Sequence, residues 1–352
     1  MCNLAGYSGS RDAAPVLLDM LSREEAFDGG FYSGIATIHE GKIYYTKVQG
    51  DVKALIENTD ALELPGKIGI AHSRPGLVDC GREWAHPFIG YKGDVPEVAY
   101  IANGGVGCFS SQREKHNMIS DSLYEAGYRL TSRVENVGSA YCTLRDGSTV
   151  HMSDVMCNLI LRNMDNGDDA QSAMENAFCE MPSEIVGLML SVSDPDRIFF
   201  SRINQPMFLG FSESETYLAT TAIAFPDGIG EPLLLPAGHS GYVGNNKFSS
   251  KPFSSSPASV AKIDAKIFHD AYELICDILT KEKKSYYNPV LGLDLPNLLK
   301  PLFDEADCQP ASALAYSVLY ALRNEGRLNI EKTTLTCPRS GYVAPHFLLS
   351  VK

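Results

Sequence analysis

Strands and helices fall in groups along the first 245 residues and do not alternate one for one. That grouping limits the fold more than any other feature. Short β-type runs occupy Gly34–His39, Lys42–Lys47, Lys67–His72, Val98–Ala102, Ile185–Val192, Arg197–Arg202, Tyr217–Thr221 and Ser240–Val243. Helical patterns interrupt them at Ala13–Arg23, Ser111–Glu125, Asp154–Met164 and Asp169–Glu180. In the first of these, Val16, Leu17, Met20 and Leu21 share one face. The last begins with acidic residues, which suit a helix N-terminus. Grouped elements of this kind predict antiparallel sheets with helices layered on them, not a doubly wound parallel sheet.

The clearest seam is 246–259, rich in serine and proline, whose only other apolar residues are Phe248, Phe253 and Ala258. It reads as a linker. The expected organisation is therefore a domain over 1–245, a linker over 246–260 and a small domain over 261–352. In the last part, Asp264–Leu279, Leu295–Asp304 and Ala311–Asn324 read as helices, and Leu328–Glu331 with Tyr342–Val351 as a hairpin. Three helices and a hairpin are the order of a winged-helix module. This stretch carries as many acidic as basic residues, with Arg323 and Arg327 the only basic pair placed for DNA contact. Protein docking or dimerisation is thus favoured over nucleic-acid binding.

A net charge of −13 also disfavours general attraction to nucleic acid or anionic membrane. The first residues lack the basic and apolar regions of a secretory signal, and no apolar run reaches the ~20 residues of a membrane span. Nine cysteines are scattered without a CxxC pair or zinc spacing, and the eight histidines show no HExxH spacing. Reduced thiols in a cytoplasmic protein are the expectation.

One cysteine is unusual by position. Cys2 follows Met1, and an initiator methionine is removed when the next residue is small. Cys2 would then carry a thiol and a free α-amine with a pKa of roughly 7.7–8.0. Such an amine can act as general base for its own thiol near neutral pH, directly or through a water.

Other motifs follow in order. Cys2-Asn3-Leu4-Ala5-Gly6-Tyr7 is a short apolar run that places Cys2 at the head of a buried strand. Leu64–Gly76 is a strand ending in His72-Ser73-Arg74 and a turn, followed by His86-Pro87-Phe88. A later strand from Val98 ends in Asn103-Gly104. With these motifs the chain resembles the class II glutamine amidotransferase (glutaminase) domain, nearest to that of glutamine–fructose-6-phosphate aminotransferase, with amidophosphoribosyltransferase as a cousin. The resemblance runs from Met1 to about Val243 and includes echoes at Pro206–Gly210 and Tyr217–Thr220.

The resemblance implies a fold: the four-layer α/β/β/α sandwich (α+β) of N-terminal-nucleophile hydrolases. It also implies roles. Cys2 is the nucleophile, the Asn103 side-chain amide and the Gly104 N–H form the oxyanion hole, and Arg74 binds the substrate α-carboxylate. Preorganised donors and a bidentate guanidinium suit those tasks. Asp154 would meet the substrate ammonium, with Glu135 as the alternative. The family assigns His72 and His86 to packing and hydrogen bonding, and the chemistry needs no metal or organic cofactor.

Departures bear on the substrate. The family's Arg-Gly-x-Asp-Ser segment is here Asp28-Gly29-Gly30-Phe31-Tyr32-Ser33, without its arginine. Its Trp-Ala-Thr-His-Gly stretch becomes Pro75–Gly81. Extra residues near Arg133–Met152 read as an added hairpin turning at Asp146-Gly147. The ninety or so residues after Asp264 are too few for sugar isomerase domains. The expected activity is hydrolysis of glutamine or another γ-glutamyl amide, with ammonia passed to a partner protein or within a homo-oligomer. The alternative is a non-catalytic amino-acid sensor signalling through the C-terminal part.

Overall fold

The computed structural model describes residues 2–76, 79–135, 137–138, 141–244, 247–288, 293–336 and 341–352. Met1 and two residues of the divergent stretch, Leu77 and Val78, lie outside them. The chain opens with β1 (Asn3–Ser8), α1 (Ala13–Asp28), β2 (Tyr32–His39), β3 (Lys42–Gln49), α2 (Val52–Asn58) and β4 (Ile68–Arg74). Next come β5 (Phe88–Lys92), β6 (Val95–Gly105), α3 (Arg113–Glu125), β7 (Cys142–Thr143), β8 (Thr149–Val150), α4 (Met152–Asp165) and α5 (Ala170–Glu180). Strands β9 (Glu184–Ser191), β10 (Ile198–Arg202), β11 (Phe208–Phe211), β12 (Thr216–Ala219), β13 (Leu233–Leu234), β14 (His239–Gly244) and β15 (Lys247–Pro252) follow. The last part holds α6 (Ala265–Lys281), β16 (Tyr287–Asn288), β17 (Leu293–Asp294), α7 (Leu295–Leu299), α8 (Ala311–Asn324), β18 (Leu328–Thr336) and β19 (Val343–Val351).

Two antiparallel sheets result. One has the order β13-β11-β12-β1-β4-β2-β3, the other β15-β14-β10-β9-β6-β5. Three buried clusters show how they stack. Leu4, Ile70, Ile101, Leu188 and Phe200 meet between the sheets. Ala5, Tyr7 and Ala71 face the opposite way, onto Leu17 and Leu21 of α1. On the far side, Tyr100 and Met189 pack under α4 and α5 through Val155, Leu159 and Met174. Helix, sheet, sheet, helix is the expected four-layer sandwich. In β1 the residues alternate between these two cores, so both faces are buried. This is why the strand reads as a continuous apolar run.

Two local expectations change. Helix α1 runs on to Asp28, because Glu24 and Glu25 are buried inside it and break the apolar period that a sequence reading follows. Part of the serine-rich seam is not a linker. Lys247–Pro252 pairs along β14 from His239↔Pro252 to Gly244↔Lys247. A sheet edge is held by backbone bonds, needs no apolar alternation, and ends naturally at proline. The added hairpin does form as β7–β8, with Gly147 at φ +84° in its turn.

The residues after the seam form a further layer on α1. Phe27 of α1 meets Tyr286, Tyr316 and Phe347 at ring-centroid distances of 6.0, 5.6 and 4.9 Å. Tyr286 and Tyr316 stack at 4.1 Å. Three helices and a closing hairpin are present, but the β16–β17 pair intervenes between α6 and α7, α7 ends at Leu299, and α8 buries Leu314, Tyr316, Val318, Leu319 and Leu322. A helix enclosed in this way cannot enter a DNA groove. Arg323 is committed to the Ile223 carbonyl at 2.7 Å, and Arg327 lies against Tyr272 and Glu325. No described helix is long and apolar enough to cross a membrane.

Candidate active site

Cys2 stands at the head of the central strand β1. The β1–β4 register pairs Leu4 with His72 and Asn3 with Ser73, so one step further sets Cys2 opposite Arg74. Leu4, on the same face of β1 as Cys2, points between the sheets. Thr220 braces this end, because its Oγ1 accepts the Leu4 N–H at 2.9 Å and its N–H donates to the Leu4 carbonyl at 3.1 Å.

Across the sandwich, β6 delivers Asn103 and Gly104. The Cys2 N–H donates to Asn103 Oδ1 at 2.7 Å. That bond orients the amide, and the other end of it, Nδ2, is buried with no partner among the described residues. A buried donor left without a partner costs about 1–3 kcal/mol, and this one is free to meet an acceptor on a ligand. Gly104 sits at φ +122°, and a Cβ there would lie 2.0 Å from the Glu184 carbonyl. Only glycine fits this backbone path. The Gly104 N–H is hydrogen-bonded to the Cys2 thiol. Burial pushes that thiol up, the Asp28 carboxylate adds to the rise, and Arg74 and the Gly104 N–H pull it back.

Arg74 is buried, only 6% exposed. Its guanidinium donates to the Trp84 carbonyl at 3.0 and 3.3 Å and to the Pro75 carbonyl at 3.2 Å, and lies 4.3 Å over the Tyr32 ring. Among the described residues no carboxylate comes within ion-pair distance of it. A buried cation held only by carbonyls and a ring can take an anionic partner.

Asp154 is placed differently. Its Oδ2 accepts from the Ser132 N–H and hydroxyl at 2.7 and 2.8 Å, and its Oδ1 from Asn158 at 3.1 Å. Burial pushes this carboxyl up to about 6. It connects to Arg74 only through intermediates, since Trp84 Nε1 donates to the Ser132 carbonyl at 2.7 Å. Glu135 is exposed and lines an outer groove with Tyr124, Arg133 and Ser148. Cys2, Arg74, Asn103 and Gly104 are thus brought together, whereas Asp154 and Glu135 sit in other surroundings.

The charge of Asp28 at the site and the addition of His151 to His72 and His86 were not legible in the sequence. Asp28, where the resembling family has arginine in its segment, raises the Cys2 thiol through its charge and is itself pushed up to about 6 by burial. Behind the site, His72, His86 and His151 form a buried file, with ring centroids 3.9 Å apart for the first pair and 5.2 Å for the second. His72 Nε2 bonds the Ala102 carbonyl at 3.0 Å. Burial pushes His72 down to about 3 and the other two well below their usual range, so all three are neutral imidazoles.

No family model matches the chain. Glutamine–fructose-6-phosphate aminotransferase (isomerizing) of Pyrococcus horikoshii is 27% identical over 252 residues, covering 71% of this chain and 38% of that protein. The enzyme of the same name from Zymomonas mobilis is 27% identical over 230 residues, with 64% and 32% covered. The chain therefore spans about a third of the length of these curated relatives. Among solved structures, the glutamine phosphoribosylpyrophosphate amidotransferase of B. subtilis superposes with a TM-score of 0.60 at 15% identity, covering 94% of this chain and 66% of that one. A second, described as the allosteric regulatory enzyme of purine biosynthesis, gives a TM-score of 0.59 at 15% identity over 80% and 59%. The chain carries the fold of the class II, N-terminal-nucleophile glutamine amidotransferases, and its sequence relatives match it through the glutaminase region of the sugar aminotransferases.

Proposed function

We propose that the chain hydrolyses the side-chain amide of glutamine, or of a related γ-glutamyl amide, through a thioester on Cys2, and releases ammonia for an acceptor on a partner protein or another subunit. The observation that carries this reading is Asn103. One end of its amide is fixed by Cys2 at 2.7 Å and the other is a buried donor without a partner. Arg74 provides the site for the substrate's α-carboxylate, and its bidentate fork matches that group.

The reaction runs as follows. With Met1 removed, the Cys2 α-amine takes the thiol proton, and the thiolate attacks the amide carbon. The resulting oxyanion accepts from Asn103 Nδ2 and the Gly104 N–H. The α-ammonium protonates the departing nitrogen, ammonia leaves, and a γ-glutamyl thioester remains. Water, deprotonated by the same amine, hydrolyses the thioester and restores the thiol.

Ammonia release from glutamine and from γ-glutamyl amides tests the proposal, together with intact mass to establish removal of Met1. Turnover should disappear in Cys2→Ala, and a glutamine-like diazoketone should label Cys2 and no other thiol. Processed protein that releases no ammonia from any such amide refutes it.

A further inference from the structure

Two thiols separated by 200 residues meet beside the oxyanion loop. Cys108 Sγ and Cys308 Sγ are 2.8 Å apart. Cys108 lies in a short 3-10 turn, Gly107–Gln112, four residues beyond Gly104. Its N–H donates to Glu184 Oε1 at 2.7 Å, and Glu184 Oε2 accepts from Asn204 at 2.8 Å. Gly107, at φ +54°, packs so closely on the Glu184 carboxylate that a Cβ would fall 2.4 Å from it. The turn carrying Cys108 is therefore pinned to β9.

Cys308 is pinned as well. Its N–H donates to the Ser259 carbonyl at 3.0 Å, its carbonyl accepts from Ala261 at 3.0 Å, and the adjacent Asp307 takes the Ser259 N–H and hydroxyl at 2.8 Å each. Cys308 is buried and Cys108 is exposed. Each sulfur thus sits on a fixed backbone, and one of the two can be reached from solvent.

From this geometry we infer that Cys108 and Cys308 form a reversible disulfide that ties the segment following the oxyanion loop to the C-terminal layer. The sulfurs need to close by less than about 1 Å to reach the bonded distance of ~2.05 Å. Glu184 completes a group of three possible metal ligands. However, two thiolates on one tetrahedral zinc stand about 3.8 Å apart at Zn–S of ~2.3 Å, and both Glu184 oxygens already accept N–H donors. The arrangement therefore favours the bond over the ion.

The oxidant is a small-molecule disulfide. The Cys108 thiolate attacks one sulfur, a thiolate leaves, and a mixed disulfide forms. Cys308 then attacks Cys108 Sγ and expels the second thiolate. The two protein thiols lose two electrons and two protons in all, and the oxidant becomes two thiols. Burial pushes both thiols up, Cys308 further, so the exposed Cys108 is the first to attack and the reaction quickens with rising pH. This inference does not depend on turnover at Cys2.

Incubation of the full chain with oxidised glutathione at pH 8.5, followed by peptide mapping, tests it. The expected result is a linked peptide pair containing Cys108 and Cys308, a loss of two titratable thiols, and an upward shift of the thermal midpoint, each reversed by dithiothreitol. Cys108→Ser, an exposed change, should abolish all three, and Cys308→Ala should leave Cys108 as a stable glutathione adduct. A persistent adduct on Cys108 in the unaltered chain, bonding of either residue to another cysteine, or stoichiometric zinc that shields the pair from oxidation would each overturn the inference.

Discussion

Replacing Asn103 with alanine should separate the fold from the chemistry. The side chain is fully buried, and its two ends have opposite roles. Loss of Oδ1 leaves the Cys2 N–H without its acceptor, which costs about 1–3 kcal/mol. Loss of Nδ2 removes an orphan buried donor, which returns a similar amount. The two changes nearly offset, so the thermal midpoint should move little apart from the small cavity created. The transition state has no such compensation. One oxyanion donor out of two is gone, worth about 2.7–4 kcal/mol or 10²–10³ in kcat. KM should hardly change, because the ground-state carbonyl carries little of the charge that Nδ2 meets. A coupled ammonia assay over a range of glutamine concentrations gives both constants. A kcat within about tenfold of the unaltered protein, or a loss carried mainly by KM, would refute the assignment of Asn103 as an oxyanion donor.

Arg74→Lys should show the reverse pattern, with KM for glutamine rising roughly 10–100-fold and kcat nearly constant, because a point charge replaces a bidentate fork that binds ground and transition states alike; a kcat-only effect would contradict the carboxylate role. Asp28→Asn removes a carboxylate that raises the Cys2 thiol, so the ascending limb of the pH–rate profile should move to lower pH. An unchanged limb would mean that Asp28 does not act on the nucleophile. Burial pushes Glu25 up to about 7 while it accepts the Val52 N–H at 2.9 Å. The native state holds a proton that the unfolded chain releases between about pH 4.5 and 7, so stability falls as pH rises through that window. Glu25→Gln keeps the acceptor and should stabilise by about 2–3 kcal/mol at pH 8 and negligibly at pH 4.5, read from urea unfolding at both pH values.

The sequence was most readable where local pattern and tertiary demand agree. β1 and β4 could be placed from their apolar runs because both faces are buried, and α5 from Asp169, whose side chain accepts the Ser172 N–H as a helix cap. Reading failed where a residue's role depends on a distant partner. Asp154 sits near the helix start, as the motif suggested, but its carboxylate is taken by Ser132 from twenty-two residues away. No spacing rule reports that. Glu24 and Glu25 hid the last turn of α1 because buried carboxylates look like a solvent face in sequence. Cys108 and Cys308 gave no signal either, since their approach depends on how the chain after β15 returns to the sandwich.

That return explains how a layer outside the amidotransferase-like motifs bears on the nucleophile. Phe27 is locked among Tyr286, Tyr316 and Phe347, and the next residue is Asp28, which acts on the Cys2 thiol. Gly29 then passes so close to Asn3 and Ser73 that a Cβ would lie 2.9 Å from the Asn3 amide and 2.8 Å from the Ser73 hydroxyl. Gly30 donates its N–H to that same hydroxyl at 2.8 Å, and its Cα faces Pro345 of β19, which a Cβ would meet at 2.6 Å. The turn after α1 is thus clamped between the C-terminal hairpin on one side and the strands bearing Cys2 and Arg74 on the other. A well-packed core transmits displacement because it has no slack to absorb it. Any shift of the C-terminal layer must move Asp28 relative to Cys2 or break this packing. The layer is therefore built into the electrostatics of the site, even though none of its own residues has been placed among the reacting groups.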